Sequence, residues 1–479
     1  MKKKIIIVLA LFLIFYITFS FLTKTGILKG ITDKISPQSV YIIKRYLFPY
    51  KLIAKLEREN NELEVEKYEL QDQISNLTII HDIELKKSLT DLKFNNLINK
   101  ISINFKKLEL KIFQNKKGFL MGMNNLSPGS AFVENYNDDL FILSAVGILG
   151  YGKLENNQII FKQISNNIDK FISFNQLSKG ELILKSDNKI IKKKSHWFST
   201  KDLKIFDDKV YVSYTREVSK DCWNTSVIVA DLNFKELNFK HLFSPNFCIH
   251  SSQNKDNEFV AHQSGGRIIN MDKNHILFST GEYRSRYLSQ DKESTFGKIL
   301  KINIDTKKFE VLSMGHRNPQ GLFYDKKNKF VLTTEHGPQG GDEINLIELN
   351  KKEIPNYGWP ISSYGEHYGG KFSYSNKAKY IKYPLLKSHK DNNFIEPLKY
   401  FTPSIGIAQI IGINKDKNYV ASSMKDKSIY FFNLDKQNNI ENFKRVEIGE
   451  RIRDLLFYQN KIIMFLEDTA SIGIIDLKN

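Results

Sequence analysis

The sequence contains little cysteine, and this limits how the chain can be covalently stabilised. Two cysteines, Cys222 and Cys248, occur in 479 residues, which excludes a scaffold held together by several disulfides. They flank a segment, SVIVADLNFKELNFKHLF, that is predicted to form a strand, a turn and a second strand. Because the two ends of such a unit could meet, one disulfide in an exported protein and two free thiols in a cytosolic protein both remain open.

A concentrated basic segment is also missing, although the chain as a whole is basic. The sequence has 71 Lys+Arg against 53 Asp+Glu, which gives a net charge of +18. A charge of this sign first suggests nucleic acid as a partner, but the lysines are spread along the whole chain. This distribution argues against nucleic-acid binding and fits a basic surface facing an anionic membrane better.

Charged residues are absent from Ile5 to Leu22, a segment that follows three lysines at the N-terminus. Its length is just sufficient to cross a bilayer, and the lysines favour a cytoplasmic N-terminus. We predict that residues 1–24 are an uncleaved signal anchor, a single-pass helix of the inner (cytoplasmic) membrane, with the body in the periplasm or extracellular space. A cleaved signal peptide is the alternative, but the flank FSFLTKTG lacks a typical small-residue cleavage site.

Proline and glycine are absent from residues 51–98, where leucine recurs every seven residues. The repeated leucines are Leu56, Leu63, Leu70 and Leu77. This spacing predicts a helical stalk within residues 25–115, and a coiled coil there would make the protein a homo-oligomer. Glu59, Glu66 and Gln73 occupy positions where a second apolar stripe belongs, so a single or packed helix remains open.

The body, residues 116–479, is predicted to be all-β. Short apolar runs alternate with Asn/Asp/Gly/Lys turns in units of about 40–60 residues, the period expected of β-propeller blades. A β-sandwich would give shorter and less self-similar spacing. We predict a six-bladed β-propeller, closed by a strand from around residues 101–115. The predicted blades are 118–165, 196–243, 260–313, 316–350, 402–447 and 451–479.

Residues 351–401 contain no convincing strands but are rich in aromatic side chains. A connection of this length in a compact domain is usually either functional or disordered. The aromatic residues favour an ordered flap over one face of the propeller. They are Tyr357, Trp359, Tyr364, Tyr368 and Tyr374.

Three turns rich in Gly and Pro fall within residues 315–360. They read GHRNPQG, EHGPQGGDEIN and NYGWP. Glycine lets backbone atoms approach a ligand closely, and the charged and amide side chains beside these glycines supply chemistry. An ordinary turn-rich β region would account for one such turn, but three together favour a binding or catalytic site.

The same three motifs resemble the soluble quinoprotein glucose, aldose and sorbosone dehydrogenases. Those enzymes are six-bladed β-propellers that use pyrroloquinoline quinone (PQQ) and calcium. The resemblance implies an oxidoreductase acting on CH–OH groups of an aldose-like sugar, and the predicted anchor would hold this enzyme at the membrane. It further implies that electrons pass from PQQ to a respiratory acceptor.

Two residues match the positions of the family's general base and its partner. His262 lies in VAHQSGGR, similar to the family string DHQSGR that contains the base. A lone histidine is normally a surface or core residue, but the following Gly-Gly-Arg favours a role in catalysis. The resemblance implies that His262 takes the proton of the anomeric hydroxyl. It also implies that Glu282, in STGEYR, steadies the histidine, although a solvated turn carboxylate is an alternative.

The remaining matches concern the cofactor and the metal. Arg317 would stabilise negative charge on a quinone oxygen and so also counts as catalytic. The carbonyl groups of Gly337 and Pro338 would hold calcium. Asp342 and Glu343, in the same loop, belong either to the site or to the anchoring of the loop. The residues implied to bind PQQ are Arg317, Asn318, His336, Lys425, Arg451 and Arg453.

Two departures from the family pattern keep a different function open. Ala261 stands where the glucose enzymes have Asp, and residues 196–206, HWFSTKDLKIF, lack the glycines and the glutamine with which the second blade of the family begins. The alternative hypothesis is therefore a catalytically inactive propeller that acts as an extracytoplasmic binding or scaffolding module.

Overall fold

The computed structural model describes the propeller and two strands that precede it. The described residues are 87–92, 102–109, 130–155, 158–159, 161–172, 182–184, 190–193, 197–349, 351–371, 376–413 and 417–478. Within these ranges no helix combines the length and the apolar character needed to cross a membrane. The predicted anchor and most of the predicted stalk lie outside the described residues.

The first two strands are β1 (Lys87–Leu92) and β2 (Ser102–Glu109), which pair antiparallel with each other. The helix predicted over residues 51–98 is therefore wrong for Lys87–Leu92. The seven-residue leucine repeat ends at Leu77, so beyond it no apolar stripe favours a helix, and pairing with β2 gives the backbone of β1 its hydrogen-bond partners.

The first two blades occupy residues 131–250. Blade one contains β3 (Ala131–Tyr136), β4 (Asp139–Ser144), β5 (Leu149–Glu155), β6 (Gln158–Ile159) and β7 (Lys162–Asn166), followed by helix α1 (Asp169–Ile172) and a hairpin of β8 (Leu182–Leu184) and β9 (Ile190–Lys193). Blade two contains β10 (Thr200–Phe206), β11 (Lys209–Ser219), β12 (Cys222–Asp231), β14 (Lys240–Phe243) and β15 (Ile249–His250). The short strand β13 (Glu236–Leu237), which lies between β12 and β14 in the sequence, pairs instead with β7 at the edge of blade one.

The next three blades are four-stranded. Blade three contains β16 (Gly265–Asp272), β17 (His275–Thr280), β18 (Lys298–Asn303) and β19 (Phe309–Met314). Blade four contains β20 (Pro319–Asp325), β21 (Phe330–Glu335), β22 (Asp342–Glu348) and β23 (Lys399–Phe401). Blade five contains β24 (Ile407–Gly412), β25 (Asn418–Ser423), β26 (Ser428–Leu434) and β27 (Ile440–Glu447). Blade four therefore does not end at 350 as predicted. Its outer strand β23 lies some fifty residues further on, too short and too distant to stand out in the sequence.

Blade six joins both parts of the chain. It consists of β28 (Ile452–Tyr458), β29 (Lys461–Leu466) and β30 (Ser471–Lys478), extended by β2 and β1. The pairing of β2 with β30 over Ser102–Glu109 confirms the predicted closing strand. Two-residue turns with positive φ at both positions fix the register of hairpins such as β28–β29, where Gln459 and Asn460 have φ of 48° and 57°.

The inner strands β3, β10, β16, β20, β24 and β28 contact one another in a closed ring. Apolar clusters fill the spaces between adjacent blades, so that each blade shares its core with two neighbours. For example, Val133 and Ile142 of blade one pack with Ile463 and Phe465 of blade six. The six-bladed all-β propeller predicted from the sequence is confirmed.

In five of the six inner strands the pairing register is irregular near the first residues of the strand. The register against the next strand shifts between Thr200 and Asp202, and corresponding shifts occur in β16, β20, β24 and β28. Such β-bulges leave one or two residues outside the ladder and turn their side chains. Gln320 and Arg453 are bulge residues of β20 and β28.

A buried arginine joins four blades close to these bulges. Arg267 Nη1 lies 2.9 Å from Asp202 Oδ1 and 2.7 Å from Asp454 Oδ1. Its Nε donates to the carbonyl of Gln320 at 2.5 Å, and its Nη2 donates to the carbonyl of Arg453 at 3.0 Å. Because each charge is paired and hydrogen-bonded, the network satisfies groups that would otherwise be costly to bury.

The two cysteines form a disulfide on blade two. Cys222 begins β12 and Cys248 immediately precedes β15, and the two Cα atoms are 5.3 Å apart. The bond anchors the start of the loop that leads to β16.

Candidate active site

A cavity of about 480 Å³ opens where the inner strands of blades three to six begin. It brings together nine of the ten predicted site residues, which come from segments almost 200 positions apart in the sequence. These are His262, Arg317, Asn318, His336, Gly337, Pro338, Lys425, Arg451 and Arg453. The tenth, Glu282, lines a smaller adjoining cavity.

His262 lies on the loop between β15 and β16, and its side chain is exposed. The residues around it are fixed by backbone hydrogen bonds. Val260 N donates to the Tyr283 carbonyl at 3.1 Å, and Tyr283 N donates to the Gln263 carbonyl at 2.9 Å. A rigid loop thus presents a solvent-accessible imidazole at the mouth of the cavity, where it can exchange protons with water.

Glu282 is completely buried beside this loop. The Gln263 amide donates to its Oε1 at 2.9 Å, while Oε2 has no hydrogen-bond partner in the described part of the chain. Burial raises the pKa of Glu282 to about 7, against the opposing effect of Arg286 and Arg317. Glu282 therefore contacts the neighbour of His262 in the sequence, and its suggested role as a support for His262 stays a prediction.

Arg317 is held in one orientation by several partners. Its Nη1 donates to the carbonyls of His336 and Gly337 at 2.9 and 2.6 Å, and its Nη2 donates to the Gln263 amide oxygen at 2.9 Å. The guanidinium lies over the Trp359 ring, 5.3 Å from its centroid. An arginine fixed in this way presents a positive charge without having to reorganise.

The loop between β21 and β22 is anchored by a carboxylate. Asp342 accepts hydrogen bonds from the backbone N–H groups of Gly337, Gly406 and Ile407 at 3.1, 2.7 and 3.1 Å. Asp342 therefore anchors the loop, and it also lines the main cavity, so both of the roles left open for this residue agree with the structure. Gly337 is required here, since a Cβ would lie 2.0 Å from the carbonyl oxygen of Gly341.

Glu343 anchors a different segment. Its Oε1 lies 3.3 Å from His389 Nε2, in the long connection between β22 and β23. Although burial works in the opposite direction, the contact with Glu343 raises the pKa of His389. Glu343 thus fixes this connection on the propeller, and it does not line the main cavity.

Two arginines share one carboxylate at the start of blade six. Arg453 Nε lies 2.5 Å from Glu467 Oε1, and Arg451 Nε lies 3.1 Å from Glu467 Oε2. Although burial opposes the effect, the two arginines lower the pKa of Glu467. With Lys425, an exposed residue of the same cavity, and with Arg317, these arginines give the cavity an excess of positive charge.

A sequence model described as glucose / sorbosone dehydrogenase matches residues 205–475, more than half of the chain. The chain belongs to the glucose/sorbosone dehydrogenase family. It is 27% identical over 227 residues to the aldose sugar dehydrogenase YliI of Escherichia coli (strain K12), covering 43% of this chain and 57% of that one. It is 30% identical over 187 residues to quinoprotein glucose dehydrogenase B of Acinetobacter calcoaceticus, covering 29% and 37%. The chain thus spans less than two thirds of either relative.

A solved structure supports the fold. The PQQ-bound form of aldose sugar dehydrogenase from Streptomyces coelicolor superposes with a TM-score of 0.50 at 16% identity, covering 83% of this chain and 100% of the other. At this identity the likeness concerns the propeller fold alone.

Sequence reasoning missed several residues of this glucose/sorbosone dehydrogenase site. Gln263 and Gln320 lie inside the motifs HQSGGR and RNPQG, so their neighbours could have indicated them. Tyr368 was expected on an ordered flap, and it does line the cavity. Ser404 and Met424 have no sequence signal beyond their proximity to other site residues.

The start of blade two, where the chain departs from the family pattern, is part of the core. Trp197 and Phe198 are buried and pack on Trp223 with ring centroids 5.5 and 4.8 Å away. None of the described residues 197–206 lines the main cavity. Aromatic packing here occupies the place of a segment that the family resemblance would assign to the substrate side.

Proposed function

We propose that this chain is a PQQ-dependent dehydrogenase that oxidises an aldose-like sugar with the help of calcium. The observation that carries the proposal is one cavity in which an exposed histidine faces four cations, Arg317, Lys425, Arg451 and Arg453. The names of the aligned relatives, an aldose sugar dehydrogenase and a quinoprotein glucose dehydrogenase, agree with this assignment.

The chemistry of the cavity fits PQQ. A tricarboxylate needs several cations in one place, and charge-assisted hydrogen bonds to arginine are among the stronger polar contacts. Arg451, Arg453 and Lys425 would hold carboxylates, and Asn318 and His336 would contribute polar contacts. The buried Nε2 of His336 has no hydrogen-bond partner in the described residues, and burial lowers the pKa of this imidazole, as suits a neutral ligand-binding group.

Calcium would be held by the carbonyl groups of Gly337 and Pro338, which both line the cavity. Calcium binds carbonyl and carboxylate oxygens. The Gly337 carbonyl accepts from Arg317 and the Pro338 carbonyl accepts from Ser404 Oγ at 3.3 Å, and a carbonyl oxygen has a second lone pair. Asp342 also lines the cavity, so its carboxylate and the carboxylates of PQQ would supply negative charge near the metal.

PQQ, held by the residues named above, would supply the acceptor for the hydride that leaves the anomeric carbon of the sugar. His262 would take the proton of the anomeric hydroxyl and pass it to solvent, which its exposure permits. Arg317, fixed on Trp359 and on two carbonyls, would stabilise the negative charge that develops on the acceptor. Glu282 would act through Gln263 to keep this side of the cavity in place.

We also propose that the propeller works outside the cytoplasm, held to the inner membrane by residues 1–24, and passes electrons to a respiratory acceptor. The Cys222–Cys248 disulfide supports this location, because disulfides persist mainly in oxidising compartments. Protease added to cells with a permeabilised outer envelope should digest the propeller. A propeller protected in that experiment would contradict the location.

The function is tested by adding PQQ and calcium to the purified protein. We expect a change in the PQQ absorption spectrum that saturates at one PQQ per chain, together with sugar-dependent reduction of a redox dye. If the protein binds PQQ but reduces no dye with any of a panel of aldoses, the result would favour the alternative hypothesis of a catalytically inactive binding or scaffolding module. Protein that binds no PQQ even with calcium would contradict the proposal.

A further inference from the structure

A second, smaller cavity adjoins the main one and has its own charged wall. Its volume is about 30 Å³, and Gln263, Arg317, Pro338 and Tyr368 line both cavities. Glu282 belongs to the smaller cavity only. We call this space the side cavity. Its remaining lining residues are Glu258, Arg284, Arg286, Trp359, His367 and Lys379.

The wall of the side cavity carries more positive than negative charge. Glu258 faces three cations: Arg286 Nη2 at 2.8 Å, Arg284 Nη1 at 3.5 Å and the ammonium group of Lys379. The lining contains four cations, Arg284, Arg286, Lys379 and Arg317, against two carboxylates, Glu258 and Glu282. Arg317 is also among the residues proposed to bind PQQ, whereas Arg284, Arg286 and Lys379 line the side cavity and not the main one.

A polar atom in this wall is unpartnered. Arg286 is 6% exposed, and its Nε has no hydrogen-bond partner among the described residues. Arg284 differs in being accessible, since its side chain is 28% exposed and lies 5.2 Å from the centroid of the exposed Tyr368 ring. Arg286 thus supplies a buried N–H group that has no hydrogen-bond partner among the described residues, and Arg284 supplies a guanidinium that a ligand can reach.

The backbone that carries Arg284 is strained. Tyr283 and Arg284 have φ of 52° and 69°, a left-handed conformation that side chains other than glycine rarely adopt. The turn is held by the buried Tyr283, whose hydroxyl lies 2.7 Å from Thr225 Oγ1, and by the hydrogen bond from Tyr283 N to Gln263 O. Strain of this kind is typical of positions that aim a side chain at a ligand.

We propose that the side cavity recognises a carboxylate, so that the substrate is an aldose carrying an acid group, such as a hexuronic acid. This inference rests on the proposed function, since it names the substrate of the same site. In the pyranose form of a hexuronic acid the carboxylate is attached to C5, which the ring oxygen separates from the anomeric carbon, so that one sugar presents both groups to the two adjoining cavities. His262 would face the anomeric end, and Arg284 and Arg286 would pair with the carboxylate. A planar guanidinium can donate two parallel hydrogen bonds to a carboxylate.

Calorimetry on the protein loaded with reduced PQQ, which accepts no hydride, tests the inference without depending on turnover. We expect D-glucuronate to bind at least about tenfold more tightly than D-glucose, as the gain of one charge-assisted contact implies. Arg284→Gln should remove about ten- to a hundredfold of the affinity for glucuronate and leave that for glucose unchanged. Arg216→Gln, a substitution on β11 outside both cavities, is the matched control and should change neither.

The possible outcomes separate this inference from the proposed function. Equal affinity for glucuronate and glucose, or an Arg284→Gln variant that keeps the preference, would overturn it. Tighter binding of glucose 6-phosphate than of glucuronate would overturn the carboxylate assignment. If glucuronate binds as expected but no dye is reduced, the recognition site stands and the dehydrogenase proposal fails. PQQ titration of each variant shows whether the main cavity is intact.

Discussion

His262 is an exposed side chain in a cavity whose arginines are largely fixed by other groups. A general base acts mainly in the transition state, so its removal should lower turnover and spare cofactor binding. We expect His262→Ala to reduce kcat for sugar-dependent dye reduction by about a hundred- to ten-thousandfold, with PQQ affinity unchanged. His250→Ala, at an exposed histidine of β15, is the matched control. Wild-type turnover in His262→Ala would require a different base.

Glu282 makes the free energy of unfolding depend on pH, and the substitution Glu282→Gln should remove this dependence. Its folded-state pKa of about 7 lies above the ordinary value of 4.5 because of burial. The stabilisation from the protonated form is therefore fully present below pH 4.5 and is lost as pH rises to 7. Across this window we expect the wild-type free energy of unfolding to fall relative to Glu282→Gln by on the order of 3 kcal/mol. Denaturant titrations of the cofactor-free protein measure this difference, and parallel curves would contradict it.

Arg451 and Arg453 share Glu467 but differ in burial, with side chains 19% and 4% exposed. Each substitution to Ala should weaken PQQ binding by about ten- to a hundredfold. Arg453→Ala should also lower the free energy of unfolding more than Arg451→Ala does, because Arg453 is the more buried of the two arginines that pair with the buried Glu467 carboxylate. Spectroscopic titration and thermal unfolding of both variants measure the two effects. Equal losses of stability would contradict the assignment of Arg453 as the structural member of the pair.

At the scale of the element, the disulfide fixes the beginning of the loop that carries His262. It closes a segment 26 residues long, and a cross-link over a loop of this size stabilises a fold by about 3–4 kcal/mol in the chain-entropy description. We expect the double substitution Cys222→Ser, Cys248→Ser to lower stability by a similar amount. PQQ affinity should change little, since the cationic residues lie on other blades. A variant as stable as wild type would show that the bond adds little.

The sequence predicted the elements that carry local signals and missed those that depend on distant pairing. Strands such as β11 and β17 contain β-branched and aromatic residues and lie between polar turns, and both form as predicted. β23 has three residues and owes its existence to pairing with β22. Likewise, the roles of Asp342 and Glu343 depended on contacts with segments some 45 to 65 positions away, which no local pattern reveals.

At the scale of the whole molecule, the ring closes through β2, which pairs with β30 along Ser102–Glu109. Removing β2 exposes the edge of β30, and unpaired strand edges promote aggregation. A variant lacking residues 1–110 should therefore aggregate or unfold at a lower temperature than one lacking residues 1–80. Light scattering and thermal unfolding compare the two. A shorter variant that stays monomeric with an unchanged Tm would show that three strands suffice for blade six.

The bulges at the start of the inner strands have an evolutionary consequence. A residue outside the ladder can be exchanged without shifting the register of its blade, as Lys201, Gln320 and Arg453 illustrate with three different chemistries at similar positions. Five of the six blades thus offer a position where a side chain can change while the hydrogen-bonded ladder is kept, and at Gln320 and Arg453 this position lines the main cavity. Lineages built on this ring can therefore diverge in what they bind by one substitution at a time.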